Sequence, residues 1–517
     1  MRRFPFFRRL IFCCLISLLG CQYSSDREMN LSVNTEGVAY EIFVQAFADG
    51  NGDNIGDFIG LTNKLDYIQD LGVDMLWLMP IHPSPSYHKY DVTDYKAVHQ
   101  DYGSMQDFEV FLKEAHKRKI KVILDMVFNH SSDQHPWFQQ AMEGPENTYR
   151  DYYVWSDDAE LMAKDPEWHW LEVNEAWKGE KAYDKEKYYG FFWKAMPDLN
   201  LYHPPLRKEI MDIGKFWLDK GVDGFRLDAV KFLNREENVA DNVAFLKEFT
   251  DSMRTVKEDV YIVGEVWDSA SAIAPYLGGI PSAFNFDLAT AMVMAAKTGK
   301  DSLKIVQTWQ RIQAQYQANS QDYYDATFLT NHDMDRIGSE VKGNVNRLKV
   351  AANLLLTLPG TPFIYYGEEL GMLGKKPDEQ IREPFLWTTD PEDQDYAKWE
   401  EVQYNSPDQL APLSQQATDN SSLYHYYKKL IKLRKNHKAL LQGTLLPFPQ
   451  EVPPQIVAFY RTIGTEKLLV IHNLFGRKQA INLPETHSKL LFSTKKLTPA
   501  SKGSQPLPPY SVSIFTE

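Results

Sequence analysis

Between residues 38 and 436 the hydrophobic positions alternate between two textures. Short, nearly unbroken apolar runs rich in β-branched and aromatic residues occur at 38–47, 73–80, 120–128, 222–228, 259–267, 282–287, 325–330 and 361–367. Between them lie longer stretches such as DFEVFLKEAHKRK and RKEIMDIGKFWLDKG, whose apolar residues recur every three or four positions, the spacing of an amphipathic helix. Strands that lack a polar face are buried on both sides, and their alternation with helices is that of parallel βαβ units. Eight such units predict an α/β fold, a closed (β/α)8 TIM barrel; an open doubly wound sheet is the alternative.

The period is interrupted in ways that set domain limits. Residues 131–200 follow the third strand and hold Trp137, Trp155, Trp168, Trp170, Trp177 and Trp193, half of the twelve tryptophans. A loop of this length is a small domain or a functional element, so 131–200 is expected to be an inserted domain whose aromatics form its core and a wall of a sugar-binding cleft. The barrel then comprises 37–130 and 201–436, with a second long loop at 375–420. From 437 to 517 the texture becomes period-two (QIVAFYRT, KLLVIHNLF, YSVSIFTE), which predicts a C-terminal antiparallel β-sandwich.

The first twenty residues break the pattern differently. MRRFPFFRRL carries four arginines and no acids, and a short apolar run ends in LLGC. That run is too short to span a membrane and has the layout of an export signal. All three cysteines, Cys13, Cys14 and Cys21, lie here. LLGC resembles a bacterial lipoprotein signal, which implies a signal peptide at 1–20, lipidation of Cys21 and a tether at 21–36. The protein is then exported and membrane-anchored in the bacterial cell envelope or at its surface, and its mature part has no disulfide. The alternative is an ordinary signal peptide with a bystander cysteine. A net charge of −14 argues against nucleic acid, and leaves the anchor as the only expected membrane contact. Oligomeric state is not legible.

Catalytic residues of a barrel sit at the C-terminal strand ends. Here those ends read DMVFNH (Asp125, Asn129, His130), GFRLDAVKF (Arg226, Asp228), GEVW (Glu265) and TNHDMDR (His332, Asp333). Arg226 and Asp228, two apart on a strand, share a face. A structural ion pair explains that pair alone but not the convergence of carboxylates and histidines on one rim. Paired carboxyl groups flanking a glycosidic bond are what glycoside hydrolysis requires.

These four stretches, in order, resemble the signature regions of the α-amylase family, glycoside hydrolase family 13, and MPDLN (Met196–Asn200) resembles a further signature of it. The resemblance implies a retaining hydrolase of α-1,4-glucosidic bonds in starch, maltodextrin or related α-glucans. Asp228 is the implied nucleophile, Glu265 the acid/base and Asp333 the third carboxylate. His130, Arg226 and His332 line the substrate, Tyr90 stacks beneath the sugar, His88 bonds to it, and Lys231 reaches an acceptor-side ring. An α-glucosidase or a 4-α-glucanotransferase would use the same residues, and a non-catalytic glycan-binding lipoprotein would have lost part of the carboxylate trio. Ala229 after the nucleophile leans toward α-1,4 bonds.

DGNGDNIGDF offers Asp49, Asn51, Asp53, the Ile55 carbonyl and Asp57, hard oxygen donors of the kind calcium takes, and resembles a cation loop of part of the family. An Asx-rich turn is the alternative. Phe232, where many members carry histidine, counts against a second calcium near Asn129.

Overall fold

The structure is a computed structural model that describes residues 37–170, 186–390, 393–486, 489–500 and 504–516. The signal at 1–20, the tether at 21–36 with Cys21, and Trp177 lie outside the described residues.

Eight strands are observed where eight runs are expected: β1 (Ala39–Ile42), β2 (Met75–Leu78), β3 (Lys121–Met126), β4 (Gly224–Leu227), β5 (Tyr261–Gly264), β6 (Ser282–Phe284), β7 (Tyr324–Phe328) and β8 (Thr361–Tyr365). Each pairs in parallel with its chain neighbours, and β8 closes on β1 to form a barrel. Side chains alternate across the barrel wall. On β4, Phe225 packs outward against Phe249 of helix Val239–Val256, whereas Arg226 faces the lumen, 5.2 Å from the Trp77 ring centre. Gly224 permits the close approach of β5, since a Cβ there would lie 1.9 Å from the Tyr261 carbonyl oxygen.

The strands are shorter than the apolar runs. In 38–47 the strand ends at Ile42 and Val44–Phe47 turns into a helical segment, yet all of these residues are buried. Phe47 packs against Tyr366, Phe385 and Trp387. Continuous hydrophobicity reports burial, and a strand end shows only once a rim loop covers it. Helix limits follow local chemistry. Ser104 and Asp107 form a capping box on Met105–Lys117, and helix Pro204–Asp219 starts at a proline, whose missing N–H is no loss in the first turn.

The insertion carries a three-stranded antiparallel sheet, Trp155–Ser156, Lys187–Tyr189 and Trp168–His169. It is joined to the segment after β3 by a bridge between His130 and Asp198, and a bridge between Tyr153 and Leu199 ties the insertion's own two ends together. Trp168 is buried, while Trp170 and Trp193 are exposed.

At the C-terminal end, strands Thr444–Pro447, Ile456–Ile463, Glu466–Asn473, Ser511–Thr516 and Lys489–Ser493 form an antiparallel sheet in that order. Ile456, Ala458 and Tyr460 meet Ile481 and Leu507 of a two-stranded sheet, and Val457 and Phe459 join the barrel core from the opposite face. Among the described residues no helix is long and apolar enough to cross a membrane.

Candidate active site

The barrel rim is stitched beyond its strands by backbone bonds. Asp228 N–H donates to Met126, Glu265 N–H to Leu227, and Val230 N–H back to Glu265. These bonds bring the ends of β3, β4 and β5 level. Ala229 then adopts φ +49°, a left-handed conformation that is uncommon outside glycine, and the chain turns away immediately behind the Asp228 side chain.

Arg226 is the hub. Its guanidinium is fully buried, with Nη1 2.7 Å from Asp125 Oδ1 and 2.5 Å from Asp228 Oδ1. Nη2 lies 2.8 Å from Glu265 Oε2 without the alignment of a hydrogen bond. One rigid planar fork thus contacts both carboxyl groups of the expected pair. Glu265 Oε1 is buried with no partner among the described residues, as suits an oxygen reserved for a substrate. Burial, reinforced by Asp228 and Asp333 and opposed by Arg226, pushes the Glu265 carboxyl up to about 7.

Asp333 differs in environment. Burial disfavours its charge, but His332, Arg382 and Arg226 outweigh that and hold it well below the usual carboxylate range. His332 sits between two acids, with Nδ1 2.5 Å from Glu41 Oε1 and Nε2 3.1 Å from Asp333 Oδ2. Burial opposes its charge, yet Asp333 and Glu41 raise it to about 10, so it is an imidazolium at neutral pH. The Tyr90 hydroxyl lies 2.6 Å from His332 Nε2 and donates to Asp125 at 3.1 Å. The Tyr90 ring lies parallel to His332, at 11° and 5.7 Å.

The other expected substrate residues are placed as follows. His130 is buried, with Nε2 3.2 Å from the Tyr90 carbonyl. His88 is half-buried, and its Nδ1 accepts from the Tyr90 N–H. Lys231 is clamped by Asp268 at 2.8 Å and Glu236 at 2.7 Å, and extends along the β4–β5 side of the rim. Phe232 stacks on Phe191 of the inserted domain at 4.3 Å and 25°.

Sequence reasoning missed two rim residues. Glu41 stands as a lone charge in the apolar run of β1, a visible signal. Arg382 comes from an irregular loop and had none. It is buried, its Nε donates to the His332 carbonyl at 3.0 Å, and its Nη2 bridges Asp333 at 2.9 Å and Asp378 at 3.1 Å.

The DGNGDNIGD loop folds on its own side chains. Asp49 accepts from the N–H groups of Asn51, Gly52 and Asn54. Asn51 accepts from Asp53 N–H and Asp53 from Ile55 N–H, and Asp57 caps helix Phe58–Asn63 while accepting from Gly50. Asp49 and Asp57 are buried; burial raises the Asp57 carboxyl and Asp49 adds to the rise. Asp53 stays exposed, and among the described residues no group of three or more His, Cys, Asp or Glu side chains is placed to hold a metal ion. The oxygen-only donor set has calcium's chemistry, in an arrangement where backbone N–H groups occupy much of it.

Comparison with known proteins gives a consistent result. The alpha-amylase catalytic-domain model matches residues 41–443, and the alpha-amylase SusG C-terminal domain model matches 456–514. "Alpha-amylase 3" of Dictyoglomus thermophilum is 43% identical over 437 residues, 84% of each chain. An oligo-1,6-glucosidase of Parageobacillus thermoglucosidasius is 32% identical, covering 89% of this chain and 93% of its own. The crystal structure of an α-amylase from H. orenii superposes with a TM-score of 0.84 at 38% identity, covering 93% of this chain and all of that one.

Proposed function

The chain belongs to the α-amylase family, and on that premise we propose that it hydrolyses α-1,4 bonds of starch or maltodextrin with retention of configuration. It is a glycoside hydrolase acting on α-glucans. The observation that carries the finer reading is the single Arg226 guanidinium in contact with both Asp228 and Glu265. In the first step Glu265, protonated near neutrality, gives its proton to the leaving glycosidic oxygen while the Asp228 carboxylate forms a bond to the anomeric carbon. In the second step Glu265, now anionic, takes a proton from water, whose oxygen displaces Asp228. Asp333 with His332 holds hydroxyls of the ring at the cleavage site, and Tyr90 lies beneath it. α-Glucosidase or 4-α-glucanotransferase action uses the same groups and differs in what occupies the acceptor side.

Incubation with maltoheptaose tests this. Asp228→Asn is expected to abolish cleavage, and wild type to release a first product in the α configuration. A β product, or full activity in Asp228→Asn, overturns the assignment. Accumulation of chains longer than seven units transfers the reading to glucanotransfer.

Two further readings belong here. LLGC supports a lipid anchor at Cys21 on the bacterial cell envelope; Cys21→Ser then moves the protein from membrane to soluble fraction, and unchanged membrane retention refutes the anchor. The oxygen donors Asp49, Asn51, Asp53, Ile55 and Asp57 support one structural calcium, with Asp53 turning inward to complete the site. Phe232, packed on Phe191, supports the absence of a second calcium near Asn129.

A further inference from the structure

Helix Leu423–Asn436 packs against helices Leu65–Leu71 and Val345–Thr357 and has two different faces. Tyr424, Tyr427, Leu430, Ile431 and Arg434 are buried. Lys428, Lys432 and Lys435 recur at the spacing of a single helical face, and Lys429 joins them on the open side. With Asp70 and Gly72 these four lysines line a groove of about 470 Å3. Lys428 pairs with Asp70 at 2.5 Å and Lys435 with Asp74 at 2.6 Å, which leaves Lys429 and Lys432 exposed and without an acidic partner among the described residues. From residue 420 to residue 450 the chain has six lysines and arginines and no acid, whereas the whole of it carries 70 acids against 56 bases. This face therefore opposes the charge of the chain as a whole.

An apolar margin adjoins it. Lys429 Nζ lies 5.0 Å from the ring centre of Phe492 on the edge strand Lys489–Ser493, and Leu490 and Leu491 of that strand are exposed at 44% and 37%. Ammonium groups beside exposed leucines are what an interfacial surface presents to headgroups and acyl chains.

Three features choose the occupant. An α-glucan is uncharged and gives four ammonium groups nothing to pair with. Lys428 and Lys435 are ~10 Å apart along the helix axis, wider than one phosphate and suited to a row of headgroups. The chain also enters the described fold here: Val38 N–H donates to Asp74 Oδ2 at 3.0 Å, and Lys435 holds the other oxygen of the same carboxylate. Val38 and Asp74 precede β1 and β2, at the end of the barrel opposite to Asp228, Glu265 and Asp333.

We propose that this lysine face docks on the anionic headgroup surface of the membrane that carries the anchor, and turns the catalytic rim away from it. The proposal rests on the lipidation of Cys21, because residues 21–36 then span at most ~55 Å and keep the face near the bilayer. Each lysine at an anionic surface strengthens partition about fivefold, and salt screens much of that. In physiological salt the face is too weak to hold the chain alone, and it supplies the second of the two signals that stable anchoring takes.

Vesicle co-sedimentation of the full chain carrying Cys21→Ser, at low salt, tests it. Vesicles of phosphatidylcholine mixed with phosphatidylglycerol should bind it, and vesicles of phosphatidylcholine alone should bind it at least tenfold less. Adding Lys429→Glu with Lys432→Glu should weaken binding to the mixed vesicles at least twentyfold and leave maltoheptaose cleavage as it was. Lys208→Glu with Lys247→Glu changes the net charge equally on helices Pro204–Asp219 and Val239–Val256, and should leave vesicle binding within threefold. Equal losses in the two double variants, no loss in either, or equal binding to both kinds of vesicle overturns the proposal. So does a dimer, present without vesicles, that Lys429→Glu with Lys432→Glu dissociates, since the face then meets a second copy of the chain. The anchor fails separately, by retention of Cys21→Ser on cell membranes in physiological salt.

Discussion

Replacing Asp228 by Asn removes one negative charge beside Glu265 and keeps the shape of the side chain, so the proton on Glu265 should respond. The rise of Glu265 from its ordinary value near 4.5 to about 7 corresponds to about 3 kcal/mol in favour of the protonated form. Burial is the largest cause, and Asp228 precedes Asp333 among the charges that add to it. A unit charge ~5.5 Å away, the spacing of a retaining pair, contributes about 3 kcal/mol at an effective dielectric constant of about 20. Arg226 touches both carboxyl groups and screens much of that, so about half is expected to appear, or about one pH unit. In Asp228→Asn the Glu265 midpoint should therefore fall to ~6. A carbon-13 NMR titration reads it, with Glu265→Gln identifying the resonance. In wild type the proton must be present for bond cleavage, so kcat/KM should fall as pH rises through about 7. That limb should vanish in Glu265→Gln acting on activated aryl glucosides, which need no proton. A Glu265 midpoint in Asp228→Asn that stays at the wild-type value, or climbs above it, refutes the electrostatic coupling on which the acid/base assignment depends.

Arg382→Ala should lower kcat/KM at least tenfold, because Asp333 loses a buried guanidinium at 2.9 Å; it should do so more through kcat than KM, and kinetics equal to wild type would sink the positioning role. Glu368 is buried, and burial pushes its carboxyl to about 8. The folded state thus binds its proton more tightly than the unfolded state does, and stability falls as pH rises from about 4.5 through 8. Glu368→Gln is expected to match wild-type Tm near pH 5 and exceed it at pH 9, and a deficit at pH 9 would contradict this. Chelation, or Asp53→Ala, should lower Tm, since an ion that binds only the folded state stabilises it by mass action; melting curves insensitive to both would leave the Asp49–Asp57 loop a turn held by its own hydrogen bonds.

The eight strands, the helix between each pair and the identity of the carboxylate rim were legible along the chain, because each depends on near neighbours. An apolar run of four to ten residues declares burial, and a charge placed at its C-terminal end has only the barrel mouth to occupy. Asp228, Glu265 and Asp333 were found that way, as was the pairing of Arg226 with Asp228 two residues on. Glu41 could be seen as an odd charge, but its meaning lay in a hydrogen bond to His332, 291 residues away. Arg382 left no trace at all, since a loop without periodicity carries no sign of which way a side chain turns. The Glu265 proton and the imidazolium of His332 belong to the fold alone. Each is set by how completely distant segments exclude water from one group, and by which charges they bring within a few ångströms of it; neither is a property of any local stretch of sequence.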